Sequence, residues 1–529
     1  MPVPRSMAAR LGAALLLLFS LVVAAEVAAP RPSAAQGGPG AVRGFLDAHS
    51  HLHSHESFGG MLLCGKPFDP DGIEDALRDC IDHHPNGALA FFENFLKNGS
   101  PIGTHDPRGW PTFKDWPAWN SLTHQTAYHE WVERAWRGGQ RILVNHMVAN
   151  RQICDVYPLK RTSCDEMASI RLQVRRANEL QAHIDSRHGG PGKGWLRIVR
   201  SPEEARQVIA QGKLAMVLGV ETSEPFGCRI VNGVPGCTKA DIDRGLDEMH
   251  SLGVRSMFLC HKFDNALCGV RFDGGTQGLI INAGNKIGTG RFWQAETCTT
   301  AEHDNTVAGG TLPKELSWID PGGAFPLYPP APHCNKLGLT ALGEHMVRGM
   351  MQRDMWIEID HMSVRAASRT LDILEQAGYP RVISSHSWTD RNFYPRIYRL
   401  GGMVASYGHS SEKFVQDWRG AKAVRDPSRL FGYGYGMDAN GLGPLPAPRA
   451  NNSANPVRYP FQSHDGSVTL DRLRTGERTW DVNVDGVANY GLVPDWIEDM
   501  RVIAGPEIVN DLAWAAEAYL RAWESPPAP

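Results

Sequence analysis

Leu214-Ala215-Met216-Val217-Leu218-Gly219-Val220-Glu221 carries no polar side chain until its last residue. A strand with one wet face alternates apolar and polar residues; a run apolar on both faces belongs in a parallel sheet covered on both sides. The surroundings agree. Upstream, Ser201-Pro202-Glu203-Glu204 reads as a capping box with proline at the first helical position, opening a helix to about Gln211. Downstream, a helix over about 239–252 leads to a strand Ser256–Cys260 that ends at His261. The pattern then repeats. A helix at 340–353 leads to strand Trp356–Asp360 and His361, and a helix at 364–377 leads to strand Arg381–Ser385 and His386. Strands Gly402–Tyr407 and Gly432–Met437 follow, the latter ending at Asp438.

Working back toward the N-terminus, Arg141–His146 reads as a second strand. A helix follows over 165–186, with Met167, Ile170, Leu172, Val174 and Leu180 on its apolar positions. The first strand is Phe45-Leu46-Asp47-Ala48-His49-Ser50-His51. Side chains at i and i+2 of a strand share a face, so His49 and His51 converge, with Asp47 placed to orient one ring. About eight strands alternating with helices predict an α/β fold, a closed (β/α)8 TIM barrel. Glu221, His261, His361, His386 and Asp438 all fall at strand C-termini, where such barrels place their sites. An open doubly wound sheet is the alternative, but it would not bring residues from so many strands together. Two long insertions, about 56–139 and 264–336, interrupt the barrel at that face. The first is dense in aromatics, and a C-terminal extension occupies 443–529. A last helix, about 506–523, is expected to pack outside.

The 529 residues carry 54 basic and 57 acidic side chains, a net −3 that argues against nucleic acid or an anionic membrane as partner. Residues 1–36 read as an export signal. Arg5 and Arg10 precede the apolar run Leu11–Ala25, and small residues follow to Ala35. The run is too short to favour a lasting membrane span, the alternative being an uncleaved anchor. The expected location is therefore secreted or periplasmic, with 37–529 as one barrel domain. Ten cysteines, with Cys154/Cys164, Cys228/Cys237 and Cys260/Cys268 close in sequence and no CxxC, fit disulfides in an oxidising compartment.

His49, His51, Glu221, His361, His386 and Asp438 form a nitrogen/oxygen donor set suited to Zn²⁺, with Mn²⁺, Co²⁺ or Fe²⁺ also compatible. Six donors are too many for one tetrahedral ion. They suit two divalent ions bridged by Glu221, holding a hydroxide between them. Asp438 is then the catalytic acid–base group.

Several segments resemble the amidohydrolase superfamily, most closely the membrane (renal-type) dipeptidase family. Asp47-Ala-His-Ser-His51 resembles the first-strand HxH, although the dipeptidases carry His-x-Asp there. Leu218-Gly-Val-Glu221 resembles the segment with the bridging Glu, and Leu252-Gly-Val-Arg255 with Cys260-His261 the stretch whose His contacts substrate. Ile359-Asp-His361-Met-Ser363 and Ser384-Ser-His386-Ser387 resemble two ligand segments, and Tyr435-Gly-Met-Asp438-Ala-Asn-Gly441 the last-strand motif. Arg391-Asn392 resembles a pair whose Arg binds the substrate carboxylate, at a shorter spacing here. The likeness covers roughly 210–442 and the first strand. It implies hydrolysis of an amide or peptide bond in a small-molecule substrate, a dipeptide or N-acyl amino acid, with His261 also catalytic.

Lactonase, esterase or phosphoesterase activity would use the same site. A secreted non-catalytic binding protein on a barrel scaffold would be expected to lack ligands, and all six are present. In the extension, Asp481-Val-Asn-Val-Asp485-Gly lacks calcium-loop spacing and reads as a structural loop. Asn440 and Arg449 are expected at the pocket edge.

Overall fold

Nine strands form one sheet: β1 (Phe45–Ser50), β2 (Gln140–Ala149), β3 (Leu196–Val199), β4 (Leu214–Thr222), β5 (Val254–Phe258), β6 (Trp356–Glu358), β7 (Val382–Ser384), β8 (Met403–Tyr407) and β9 (Gly434–Gly436). Their order is β2-β1-β9-β8-β7-β6-β5-β4-β3, and an additional β2–β4 pairing closes the ring. That ladder runs parallel from Ile142↔Ala215 to Ala149↔Thr222. Closure rules out the open doubly wound sheet. Eight parallel strands make the barrel, while β3 continues alongside the first half of β4.

The computed structural model describes residues 40–80, 83, 86–98, 100, 102–309 and 325–526, so the export signal read over 1–36 lies outside the described residues. The barrel lies in the compact unit Val42–Pro427 with Phe431–Pro529.

Every residue of β4 is buried, as its two apolar faces require. The helices around it start where local chemistry dictates. Ser201 caps Pro202–Ala210 by accepting from Glu204 N at 3.2 Å, while the Glu204 carboxylate reaches Arg200 N rather than Ser201 N. Asp165 caps Glu166–Arg187, and Thr238 with Asp241 closes a full capping box on Lys239–Ser251. Such caps satisfy amides that the first turn leaves open, each stabilising its helix by about 1 kcal/mol.

Two expectations need correction. β2 runs past His146 to Ala149, which puts His146 inside the ladder opposite Gly219. The helix expected over 506–523 is two, Pro506–Ala513 and Ala515–Glu524; Trp514 N bonds to Asp511 O, and the chain turns there. A further helix, Val493–Ala504, buries Trp496 and Met500 in the main core, with Trp496 against Phe414 and Tyr435 of the barrel. The Asp481 loop is structural as expected: Asp481 caps Val482–Asp485, and the Asn483 amide bonds both ways with Val457.

All ten cysteines are paired, as Cys64–Cys80, Cys154–Cys164, Cys228–Cys237, Cys260–Cys268 and Cys298–Cys334. The Cys260–Cys268 bridge closes the loop that begins with His261. Among the described residues no helix is long and apolar enough to cross a membrane.

Candidate metal centre

The barrel mouth gathers the predicted side chains because each strand stops at the same level. β1 ends at Ser50, and two backbone bonds tie its exit to the loop after β9: Asp438 N to His49 O at 2.7 Å and His51 N to Ala439 O at 2.9 Å. These set Asp438 Oδ1 3.0 Å from His51 Nε2 and 3.7 Å from His49 Nε2. Glycines make the approach possible. A Cβ on Gly436 would lie 3.0 Å from His49 Cβ and 2.9 Å from His386 Cβ, and one on Gly219 would sit 2.3 Å from the His146 ring.

Glu221, near the end of β4, is buried between two imidazole pairs. Its Oε2 lies 3.6 Å from His49 Nε2 and 3.4 Å from His51 Nε2. Its Oε1 lies 3.3 Å from His361 Nε2 and 3.6 Å from His261 Nε2, and has no hydrogen-bond partner among the described residues. The rings of each pair meet nitrogen to nitrogen, His49 Nε2 to His51 Nε2 at 3.0 Å and His361 Nε2 to His386 Nε2 at 2.8 Å. Two donor triads result, His49/His51/Glu221 and Glu221/His361/His386. This is a candidate metal centre.

The rings are held from behind. His51 Nδ1 donates to the His146 carbonyl at 2.8 Å, which leaves the Nε2 lone pair facing Glu221 and Asp438. His49 Nδ1 meets Ser385 Oγ at 3.2 Å, and His386 Nδ1 lies 3.1 Å from Asp360 Oδ2. Asp47 does not orient a ring, as the sequence led us to expect. Its carboxylate accepts from His49 N, Met437 N, Ser50 Oγ and the Tyr490 hydroxyl, so it pins the backbone of both strand ends. Both His361 and Asp438 hold left-handed backbone, with φ of 65° and 50°. Such conformations cost about 1–3 kcal/mol each and persist where surrounding structure imposes them.

The electrostatics call for a cation. Burial pushes the Glu221 carboxyl up to about 7. Burial, with the imidazoles of His386 and His146 beside it, holds His49 well below the usual histidine value; burial and His261 do the same for His361. Burial opposes charge at His386 too, but Asp360 and Glu221 outweigh it and push that ring up to about 9. A desolvated carboxylate with an unmatched oxygen, faced by the neutral rings of His49 and His361, is a donor set that a divalent ion satisfies.

The site opens into a cavity of about 890 Å³. His261 and Arg391 both line it. Arg391 pairs with Asp417, and so does Lys413. Neither Asn440 nor Arg449 reaches the cavity wall as expected. Asn440 Oδ1 is buried, accepting from Thr126 N and Oγ1 at 2.9 Å, and Arg449 forms an ion pair with Asp499. The sequence reading passed over His146, which stacks on His49 with centroids 4.4 Å apart and meets Glu358 Oε1 at 3.1 Å. Its signal was its place in an apolar run, hidden because β2 continues beyond it. Lys262 was also missed; its ammonium lies over the Trp388 ring and 3.0 Å from Asp273.

No family model and no curated protein matches this chain. Solved structures do align with it. A metallo peptidase from Rhodobacter sphaeroides, liganded with a phosphinate mimic of the dipeptide L-Ala-D-Ala, covers 90% of this chain and 98% of its own at 13% identity, with a TM-score of 0.43. An amidohydrolase from Pseudomonas aeruginosa covers 74% of this chain and 91% of its own at 12% identity, with a TM-score of 0.40. A probable dipeptidase from Pseudomonas aeruginosa covers 74% and 87% at 14% identity, with a TM-score of 0.39.

Proposed function

We propose that this chain is an exported hydrolase with two divalent metal ions, Zn²⁺ suiting the donors best, that cleaves the amide bond of a carboxylate-bearing substrate. The observation that carries this reading is Glu221, whose two oxygens face two separate imidazole pairs. His49, His51 and Asp438 would hold one ion, His361 and His386 the other, with Glu221 between. Ions bound there supply an activated water at neutral pH and polarise the scissile carbonyl. Asp438 takes the proton of the attacking water and returns it to the leaving nitrogen. His261, 3.6 Å from Glu221 and edge-on to His361, faces the carbonyl oxygen.

Substrate class is read from the cavity. Arg391 and Lys413 share the single carboxylate of Asp417, so the trio carries net positive charge and suits a substrate carboxylate. Most of the remaining wall is apolar: Phe58, Leu62, Trp119, Val148, Ile281 and Leu442. A chamber of that size and character favours an N-acyl amino acid with a bulky acyl group over a small dipeptide. The five disulfides support an oxidising compartment and so the export half of the proposal.

Purified protein loaded with Zn²⁺ should hydrolyse N-acyl amino acids with kcat/KM rising as the acyl chain lengthens, ahead of dipeptides, lactones and phosphoesters. A flat response to acyl length would contradict the substrate class. No turnover of any amide by protein carrying its metal would contradict the reaction.

A further inference from the structure

Three imidazoles converge a second time, away from the barrel mouth, in the insertion between β1 and β2. His83 and His124 are buried and His105 is partly so. Their donor nitrogens lie within 4.8 Å of one another. The rings stand edge to face, with interplanar angles of 76° for His83–His124, 88° for His83–His105 and 87° for His105–His124. His124 Nε2 meets His105 Nε2 at 3.1 Å, close to the nitrogen–nitrogen contacts of His49/His51 and His361/His386.

The surroundings prepare the cluster for an ion. His124 Nδ1 lies 3.2 Å from Cys80 Sγ. Cys80 is bridged to Cys64 and has no thiol proton to give, so Nδ1 keeps the hydrogen and Nε2 presents its lone pair to His105. The bridge also removes both sulfurs as thiolate ligands, so the site is imidazole-based. Glu93 Oε2 is 4.0 Å from His124 Nε2, held by Thr123 N and Thr123 Oγ1 at 2.8 Å each, while its Oε1 pairs with Lys97 Nζ at 2.7 Å. Gly87 backs His105 so closely that a Cβ would lie 2.1 Å from its Nδ1.

We propose that His83, His105 and His124 bind a third divalent transition-metal ion, Zn²⁺ or one of like preference, with the Lys97-paired Glu93 carboxylate beside it. Neutral imidazole is the donor that Zn²⁺, Ni²⁺ and Cu²⁺ favour, and three in one place leave a fourth position for water or Glu93. The ion's role is structural. The segment carrying His124 continues through Gln125 and Thr126, which hold Asn440 two residues beyond Asp438. Trp119 of the same insertion lines the cavity. An ion at the three histidines therefore fixes the insertion where it walls the substrate chamber.

The test is metal content of the full chain, purified and dialysed against Zn²⁺. His105→Gln and His83→Gln should each bind one Zn²⁺ fewer than wild type, and the loosened chamber wall should raise KM for the preferred amide while kcat, set by groups at the barrel mouth, stays within about twofold. The difference of one is expected whether or not the barrel mouth holds its pair, so this result and the proposed hydrolase stand or fall separately. Zinc content equal to wild type in either folded variant overturns the assignment. Crystals of the wild-type protein give the same answer without a variant. An anomalous peak at the zinc edge between the three rings supports the site, and none in zinc-loaded crystals overturns it.

Discussion

Asp438 is the residue on which the proposed mechanism turns. Its Oδ1 is within 3.0 Å of His51 Nε2, yet its side chain retains some exposure while the histidines and Glu221 are sealed. A group that must exchange a proton with substrate and water needs that access; a purely structural ligand does not. Asp438→Asn keeps an oxygen in place and removes the basic carboxylate. We expect bound metal to be retained and kcat to fall about 10²–10⁴-fold, the usual worth of a positioned acid–base group. Metal analysis beside steady-state kinetics checks this, and full kcat with metal in place would remove Asp438 from the chemistry.

Among the elements, the strands of the barrel were legible because each is a short apolar run stopped by a polar residue, and that residue is where the strand meets the site. β4, β6 and β7 with Glu221, His361 and His386 are the clearest cases. What escaped the sequence obeys tertiary rules. His146 sits in mid-strand because Gly219, on the neighbouring strand, leaves room for its ring. Asp47 looked like a ring orienter from its spacing, but its carboxylate is taken up by four backbone and hydroxyl donors. The three histidines of the insertion are spread over 42 positions, from His83 to His124, with no periodicity to join them.

One element junction carries a pH dependence. Glu166, the first residue of helix Glu166–Arg187, accepts from Arg151 N at 2.9 Å and Glu224 N at 2.6 Å, joining the loops after β2 and β4. Burial and the nearby Glu224 push its carboxyl up to about 8 from an ordinary value of 4.5. The unfolded chain releases this proton near 4.5 and the native chain holds it to about 8, so the native state binds the extra proton between those values. This group's contribution to stability is greatest at low pH and is lost as pH rises through that window. Thermal melts of Glu166→Gln against wild type should show a shallower fall in Tm from pH 5 to 8; an unchanged slope would place the dependence elsewhere.

At the scale of the whole barrel, closure brings six donors from five strand ends to one point, and long insertions decide what reaches it. The likeness of the strand-end motifs to dipeptidases extends over the barrel and stops at the insertions, which is why the donor set was readable and the chamber's apolar walls were not. The central claim is that Glu221 bridges two ions. Anomalous diffraction at the zinc edge from zinc-loaded crystals tests it most directly. The account predicts two peaks about 3.5–4 Å apart at the barrel mouth, one facing each Glu221 oxygen, with His49/His51 on one and His361/His386 on the other. A single peak there, or two peaks that Glu221 does not join, would contradict it.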